Sequence, residues 1–389
     1  MAQGRPCDRI TQIRSDRRCV AQQVVPTQTS QRTRVDPEVD SLPACGVVTI
    51  NDSCAGYAGQ HRGGPYFDDL SIGQVFDSAP AMTLSSGLAA AHQAIVGDRL
   101  KLALDRELCM AVTGVLGPLA HPALVCDVAI GQSTLATQRV KANLFYRGLT
   151  FHRFPAIGDT LYTRTEVVGL RANSVKSGRA PTGMAALRMT TIDQADRLVL
   201  DFCRCAMLPA SPDWRPGDRS GDDLSVVGSD APSPVVDPTA QWDGKVFRNR
   251  VPGPYFHGGM AGTVLRSSGD IVSNAPELAR LTLNIAAAHH DSRVGGRRLV
   301  YGGHTIGLAL AQASRLLPNL AMILGWESCD HTGPVHEGDT LHSELHIDSA
   351  VATDTGGVLR LRSLVYATGD SADEPDRQVL DWRFSALHF

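Results

Sequence analysis

Apolar and polar positions along the chain run twice through one order, helix-like stretches followed by alternating strands. In the first round, Leu88 to Leu108 reads as helix, and Pro122 to Leu135 as a second, more apolar one. Strand patterns follow at Asp159–Leu170, Gly183–Ile192 and Arg197–Leu208. In the second round a helical patch lies near Ala279–Ala288 and a long helix begins at about Gly303. Strands are predicted at Asp339–Ala350, Val358–Thr368 and Gln378–Phe389. Between the rounds, residues 209–240 are rich in Pro, Ser, Asp and Gly and read as a linker. Residues 1–62 are rich in Arg, Gln, Thr and Ser, with few aliphatic clusters. Such a segment buries too little apolar area to offset its ordering cost. It lacks the amphipathic period of a targeting peptide, so the expectation is a disordered extension or a start codon placed too early.

The repeat can be followed residue by residue. Gly158-Asp159-Thr160-Leu161 recurs as Gly338-Asp339-Thr340-Leu341. Asp196-Arg197-Leu198-Val199-Leu200-Asp201-Phe202 recurs as Asp376-Arg377-Gln378-Val379-Leu380-Asp381-Trp382. Gln132 matches Gln312, and all three matches share an offset of 180 residues. A duplicated domain is therefore predicted, residues 63–208 and 241–389, of class α+β. A long helix followed by a meander is most easily buried when the sheet curls around it.

The stretch Leu283–Leu316 combines a polar front, a Gly-Gly step and a run suited to a helix covered on most sides. Tyr301-Gly302-Gly303-His304 would open that helix, where backbone N–H groups have no helical partner and the dipole is positive. A developing oxyanion can be held there. At the 180 offset Gly302 faces Pro122, which has no N–H to offer. Eight of the 13 histidines fall between His257 and His346. The candidate site is thus assigned to the second copy, with the first as a scaffold that shapes an acyl tunnel.

Composition narrows the classes. Hydrophobic residues are 43% and charged residues 20%, as in a globular protein, and the net charge of −3 points to neither nucleic acid nor an anionic membrane. No apolar run has the length of a membrane span. The nine cysteines form no CxxC pair, which suggests reduced thiols and a cytoplasmic home. A G-x-S-x-G elbow is absent, disfavouring a serine hydrolase. His289 suits general acid–base work, or is a surface histidine at a helix end. Asn284 would orient a water, or cap a helix. Adjacent His289 and His290 diverge too far to share an ion, and no metal site is expected. His342, Glu344 and His346 share a strand face that reads as solvated. Arg297 and Arg298 would hold a carboxylate or a CoA phosphate, or lie in a solvated loop.

The second half resembles the MaoC-like, or (R)-specific enoyl-CoA hydratase, hotdog family. That family's motif is roughly D-x-N-P-L-H-x-D, then a loop, then a helix start I-V-H-G. Asn284, Ala286, Ala287, Ala288, His289 and Asp291 stand at the motif positions, and Leu299-Val300-Tyr301-Gly302 at the helix start. Pro334-Val335-His336-Glu337-Gly338-Asp339-Thr340-Leu341 resembles its P-V-x-x-G-D-T-L strand entry. The chain from about Tyr66 is similar to the double-hotdog mesaconyl-CoA (2-methylfumaryl-CoA) hydratases, also called β-methylmalyl-CoA dehydratases. Gly296-Arg297-Arg298-Leu299-Val300-Tyr301-Gly302-Gly303-His304 and Val167-Val168-Gly169-Leu170-Arg171 carry that likeness. The resemblance implies a double hotdog and hydration of an α,β-unsaturated acyl-CoA, with mesaconyl-CoA as a specific substrate. It implies His289 as acid–base group and Gly302 N–H as donor to the thioester oxygen. Asn284 stands where the wider family has a catalytic aspartate, although the mesaconyl-CoA group is likewise read as carrying Asn. Asp291, Tyr301, Gly303 and His304 are accessory candidates. No cofactor is implied beyond the CoA thioester as substrate, no nucleic acid or membrane partner, and a homodimer is a possible assembly. The alternatives are an acyl-CoA thioesterase, a non-catalytic acyl-CoA-binding hotdog protein, or a dehydratase subunit.

Overall fold

The computed structural model describes residues 63–389 apart from 176, 216–220, 230–236, 295 and 370–373. The expectations for residues 1–62, and for parts of the 209–240 linker, lie outside the described residues. The first copy opens with two short strands, β1 (Val75–Phe76) and β2 (Met82–Thr83). Three helices follow, α1 (Ser86–Val96), α2 (Lys101–Leu104) and α3 (Arg106–Thr113), where the sequence predicted one from Leu88 to Leu108. The break has local causes. Gly97 takes a left-handed φ of 71° and stops α1, and the Asp98 carboxylate accepts the Leu100 N–H at 2.8 Å. Asp105 then caps α3 by accepting from Leu108.

Helix α4 (Pro122–Gln132) starts on a proline at its first turn, where the missing N–H costs nothing, and every one of its residues is buried. It runs into a 3-10 turn, Ser133–Ala136. Strands β3 (Ala142–Phe151), β4 (Thr160–Ala172), β5 (Thr182–Asp193) and β6 (Leu198–Pro209) complete the copy. The second copy contains α5 (Gly244–Arg250), β7 (Val264–Arg266), β8 (Asp270–Ile271), α6 (Ala275–Leu281) and α7 (Gly302–Leu316). Its sheet strands are β9 (Leu320–His331), β10 (Thr340–Ala352), β11 (Gly357–Ala367) and β12 (Arg377–His388). The patch predicted as helix near Ala279–Ala288 is instead the end of α6, an irregular stretch, and a 3-10 turn at Ala287–His289.

All the strands join one antiparallel sheet ordered β1-β4-β5-β6-β3-β9-β12-β11-β10-β7, with β2 on β4 and β8 on β10. The order is nearly a palindrome, and its centre is the β3–β9 pair, from Phe145↔Asp330 to Thr150↔Gly325. The sequence pattern missed both central strands. β3 carries two register shifts against β6, which destroy its alternation, and β9 begins with an unbroken apolar run.

The 180-residue repeat is visible in the hydrogen bonds. Gln132 Nε2 donates to the Leu161 carbonyl at 3.0 Å, and Gln312 Nε2 to the Leu341 carbonyl at 2.8 Å. Each ties its central helix to the strand that enters the sheet. A bulge at Val167/Gly169 in β4 recurs at Ile347/Ser349 in β10. Helix α7 is buried from Gly303 to Ser314. Each fully covered Leu or Ile in it contributes roughly 1.5–3 kcal/mol. The architecture is α+β, two hotdog units in one chain. Among the described residues no helix is long and apolar enough to cross a membrane.

Candidate active site

A cavity of about 340 Å³ lies at the N-terminal end of α7. Asn284, His289, Gly302, His331, Tyr146 and Arg204 are among its lining residues, so both copies contribute walls. The segment that carries Asn284 and His289 belongs to the second copy but is stitched to the first. The Ile285 N–H donates to Thr134 Oγ1 at 3.1 Å and the Ala287 N–H to the Gln138 carbonyl at 3.0 Å. The chain crosses α4 at Gly131, where a Cβ would stand 1.6 Å from the Thr282 oxygen, so only glycine fits.

His289 is 7% exposed. Its Nδ1 lies 2.9 Å from the Leu299 carbonyl. A carbonyl can only accept, so Nδ1 holds the proton and Nε2 is left as a lone pair. Burial pushes the ring's pKa down to about 4, opposed by the Leu299 hydrogen bond and helped by the positive fields of His290 and Arg204. His289 is thus a neutral imidazole, able to take a proton.

Asn284 is 2% exposed and its Oδ1 accepts the Ala286 N–H at 3.0 Å. The oxygen is occupied by the turn, which leaves Nδ2 as the available end, a donor. His290 does not join the cavity. Its Nε2 bonds the Asn284 carbonyl at 2.7 Å and braces the same turn.

Gly302 is the first residue of α7, and no side chain caps that helix. The His304 N–H turns back to the Tyr301 carbonyl at 2.9 Å, whereas the amides of Gly302 and Gly303 have no backbone partner outside the helix. The positive end of the helix therefore faces the cavity uncapped. His331, at the end of β9, packs against this start. Its Nε2 is buried without a partner, 2.7 Å from where a Gly302 Cβ would be, and burial lowers its pKa to about 4.

Of the other sequence candidates Tyr301 lines the cavity, and Asp291, Arg297, Arg298, Gly303 and His304 do not. Asp291 is out of the cavity and holds Arg293 in a forked pair at 2.6 Å, which keeps its carboxyl at about 2. Arg298 pairs with Glu337, and Arg297 lies 3.5 Å from Asp339. Neither lines the cavity. His304 is fully buried with both ring nitrogens unpartnered. Tyr301 lines the cavity, and its hydroxyl donates to Asp127 Oδ1 at 3.1 Å. Gly303 abuts that carboxylate, since a Cβ would stand 2.0 Å from Asp127 Oδ1.

Sequence reasoning missed Asp127, Arg204, Tyr146 and His331. Asp127 also bonds His92 Nε2 at 3.1 Å, in a pair that is 1% and 2% exposed. Its signal was a lone acid inside an apolar helix. His331 and Tyr146 gave none, because they lie on the two strands the pattern did not show. Together His289, Asn284 and Gly302 bring to the cavity a proton acceptor, a fixed amide donor and an uncapped helix start. Such a set can activate a water and hold a negative oxygen.

No family model matches the chain. It is 80% identical to a solved structure from Mycobacterium tuberculosis, described as a conserved hypothetical protein essential for bacterial survival during infection, with a double hotdog fold. The match covers 85% of this chain and 100% of that one, with a TM-score of 0.83. The chain is also 28% identical to the beta-methylmalyl-CoA dehydratase of Chloroflexus aurantiacus, over 83% of its length and 97% of the relative's. The mesaconyl-CoA hydratase of Cereibacter sphaeroides is 27% identical, over 79% and 90% respectively.

Proposed function

We propose that this chain, which belongs to the double-hotdog family, is a hydro-lyase that reversibly hydrates an α,β-unsaturated acyl-CoA. The observation that carries the reading is the sharing of one cavity by the His289 Nε2 lone pair and the uncapped Gly302 amide. The thioester oxygen accepts from Gly302 N–H, and the polarised double bond lies over His289. Asn284 Nδ2 donates to a water, which gives its proton to His289 Nε2 as its oxygen bonds the β-carbon. The π electrons pass to the thioester oxygen, held as an enolate by the helix start. The enolate collapses and the proton moves from His289 Nε2 to the α-carbon, closing the cycle with no cofactor. One imidazole suffices because the proton it takes is the proton it returns. Asn284 can position the water but cannot take its proton, so His289 carries the transfer.

The finer reading is hydration of mesaconyl-CoA to β-methylmalyl-CoA, supported by the two relatives that carry those names. The test is a panel of enoyl-CoA esters, including crotonyl-CoA and mesaconyl-CoA, followed by loss of the conjugated-thioester absorbance. Release of free CoA thiol without loss of the double bond would instead identify a thioesterase. Tight binding without turnover would identify a carrier or a structural subunit.

A further inference from the structure

Arg204 stands on β6 with 3% of its surface exposed, and it lines the cavity. A buried guanidinium is normally matched by a carboxylate, because an unpaired charge out of water is strongly destabilising. Here no carboxylate among the described residues pairs with it. Nη2 donates to Ser133 Oγ at 2.9 Å and to Thr137 Oγ1 at 2.7 Å, and Nη1 reaches Asn143 Oδ1 at 3.4 Å. Nε is buried with no partner. Neutral oxygens orient the group without neutralising it.

The second copy shows that the fold does not require this arrangement. At the 180 offset Arg204, Ser133, Thr137 and Asn143 correspond to Phe384, Ala313, Leu317 and Ile323. The strand registers coincide there, with Asn143 opposite Ala206 in one copy and Ile323 opposite Ala386 in the other. Four polar groups in one copy answer four apolar ones in the other, and only the polar set lines the cavity or braces a residue that does. A charge placed at such cost, at a spot where packing alone accepts a phenylalanine, is explained by what enters the cavity.

We propose that Arg204 forms an anion subsite that selects acyl-CoA substrates bearing a second carboxylate on the acyl chain, with Ser133, Thr137 and Asn143 holding its guanidinium in place. The inference rests on the acyl-CoA reading above and deepens it. The anion is a carboxylate of the acyl group rather than a phosphate of CoA, since a cavity of about 340 Å³ takes the acyl end and not the nucleotide. It gives Arg204 the carboxylate-holding role that was one of the readings offered for Arg297 and Arg298.

The experiment measures binding of two saturated thioesters that cannot be hydrated, succinyl-CoA and butyryl-CoA, by calorimetry. The protein should prefer succinyl-CoA by roughly 10- to 100-fold, the worth of charge-assisted hydrogen bonds to one carboxylate. In Arg204→Met that ratio should collapse toward one, and Arg204→Lys should recover part of it, because an ammonium keeps the charge without the fork. Equal binding of the two esters by the unaltered protein overturns the subsite, whatever the variants do. A ratio unchanged in a folded Arg204→Met also overturns it, and equal weakening of both esters assigns Arg204 to a CoA phosphate instead. Failure to bind either ester sinks the acyl-CoA reading itself. Binding with the expected ratio but no hydration of any enoyl ester leaves the subsite standing and removes the hydratase.

Discussion

At the level of single residues the proposed reaction rests on His289. Replacing it with Ala should lower the rate of hydration by about 10²- to 10⁴-fold while leaving the unfolding midpoint near that of the parent. Comparable activity in a folded variant would remove the imidazole from the mechanism. Its pH behaviour follows from its burial. The ring works as a base only when neutral, and its pKa is lowered to about 4. The profile of kcat/KM should therefore stay level from about pH 8 down to pH 5 and fall only below, instead of bending near the ordinary histidine value of roughly 6.5. That His289, Asn284 and Gly302 would line one cavity was legible, because motif spacing groups them. Arg297 and Arg298 lie outside the cavity, beside Asp339 and Glu337, a pairing that spacing alone does not reveal. The guanidinium that does enter the cavity lies on a strand almost 100 positions away.

The element that matters most is α7, and the internal repeat suggests how to test its first amide. Pro122 begins α4 as Gly302 begins α7, so a proline is compatible with that helix start. Gly302→Pro and Gly302→Ala both add a Cβ against His331, but only the proline removes the N–H. The proline variant should lose about 10²- to 10³-fold more in kcat than the alanine variant. Equal losses would show that crowding, and not the missing donor, is responsible. The neighbouring brace is the Asp127 carboxylate, shared by Tyr301 and His92. Asp127→Ala would strand a buried imidazole and a buried hydroxyl, and should cost on the order of 3–5 kcal/mol, visible as a lower unfolding midpoint. Among elements, α4 and α7 were readable from their apolar length, whereas β3 and β9 were not. A strand buried on both faces, or broken by bulges, loses the alternation by which strands are recognised.

For the whole molecule, acid should be the weak point. Burial lowers the pKa values of His289, His304, His331 and His388 to about 4. The unfolded chain thus takes up protons first as the pH falls below about 6.5, and the folded state follows only near 4. Stability should be lost across that window, by up to about 1.4 kcal/mol per pH unit for each such ring. Chemical denaturation at pH 7 and pH 5 measures it, and equal midpoints would contradict the assignment. The antiparallel meeting of β3 with β9 has a consequence of another kind. Two units from one gene product are locked edge to edge in fixed one-to-one ratio, so a change in either unit never has to suit both. One side was free to grow a charge where its twin keeps a benzene ring, and the other to present a bare amide where its twin begins with a proline. Two identical subunits would be forced to carry both features twice, whereas in this chain the chamber at the start of α7 has unlike walls.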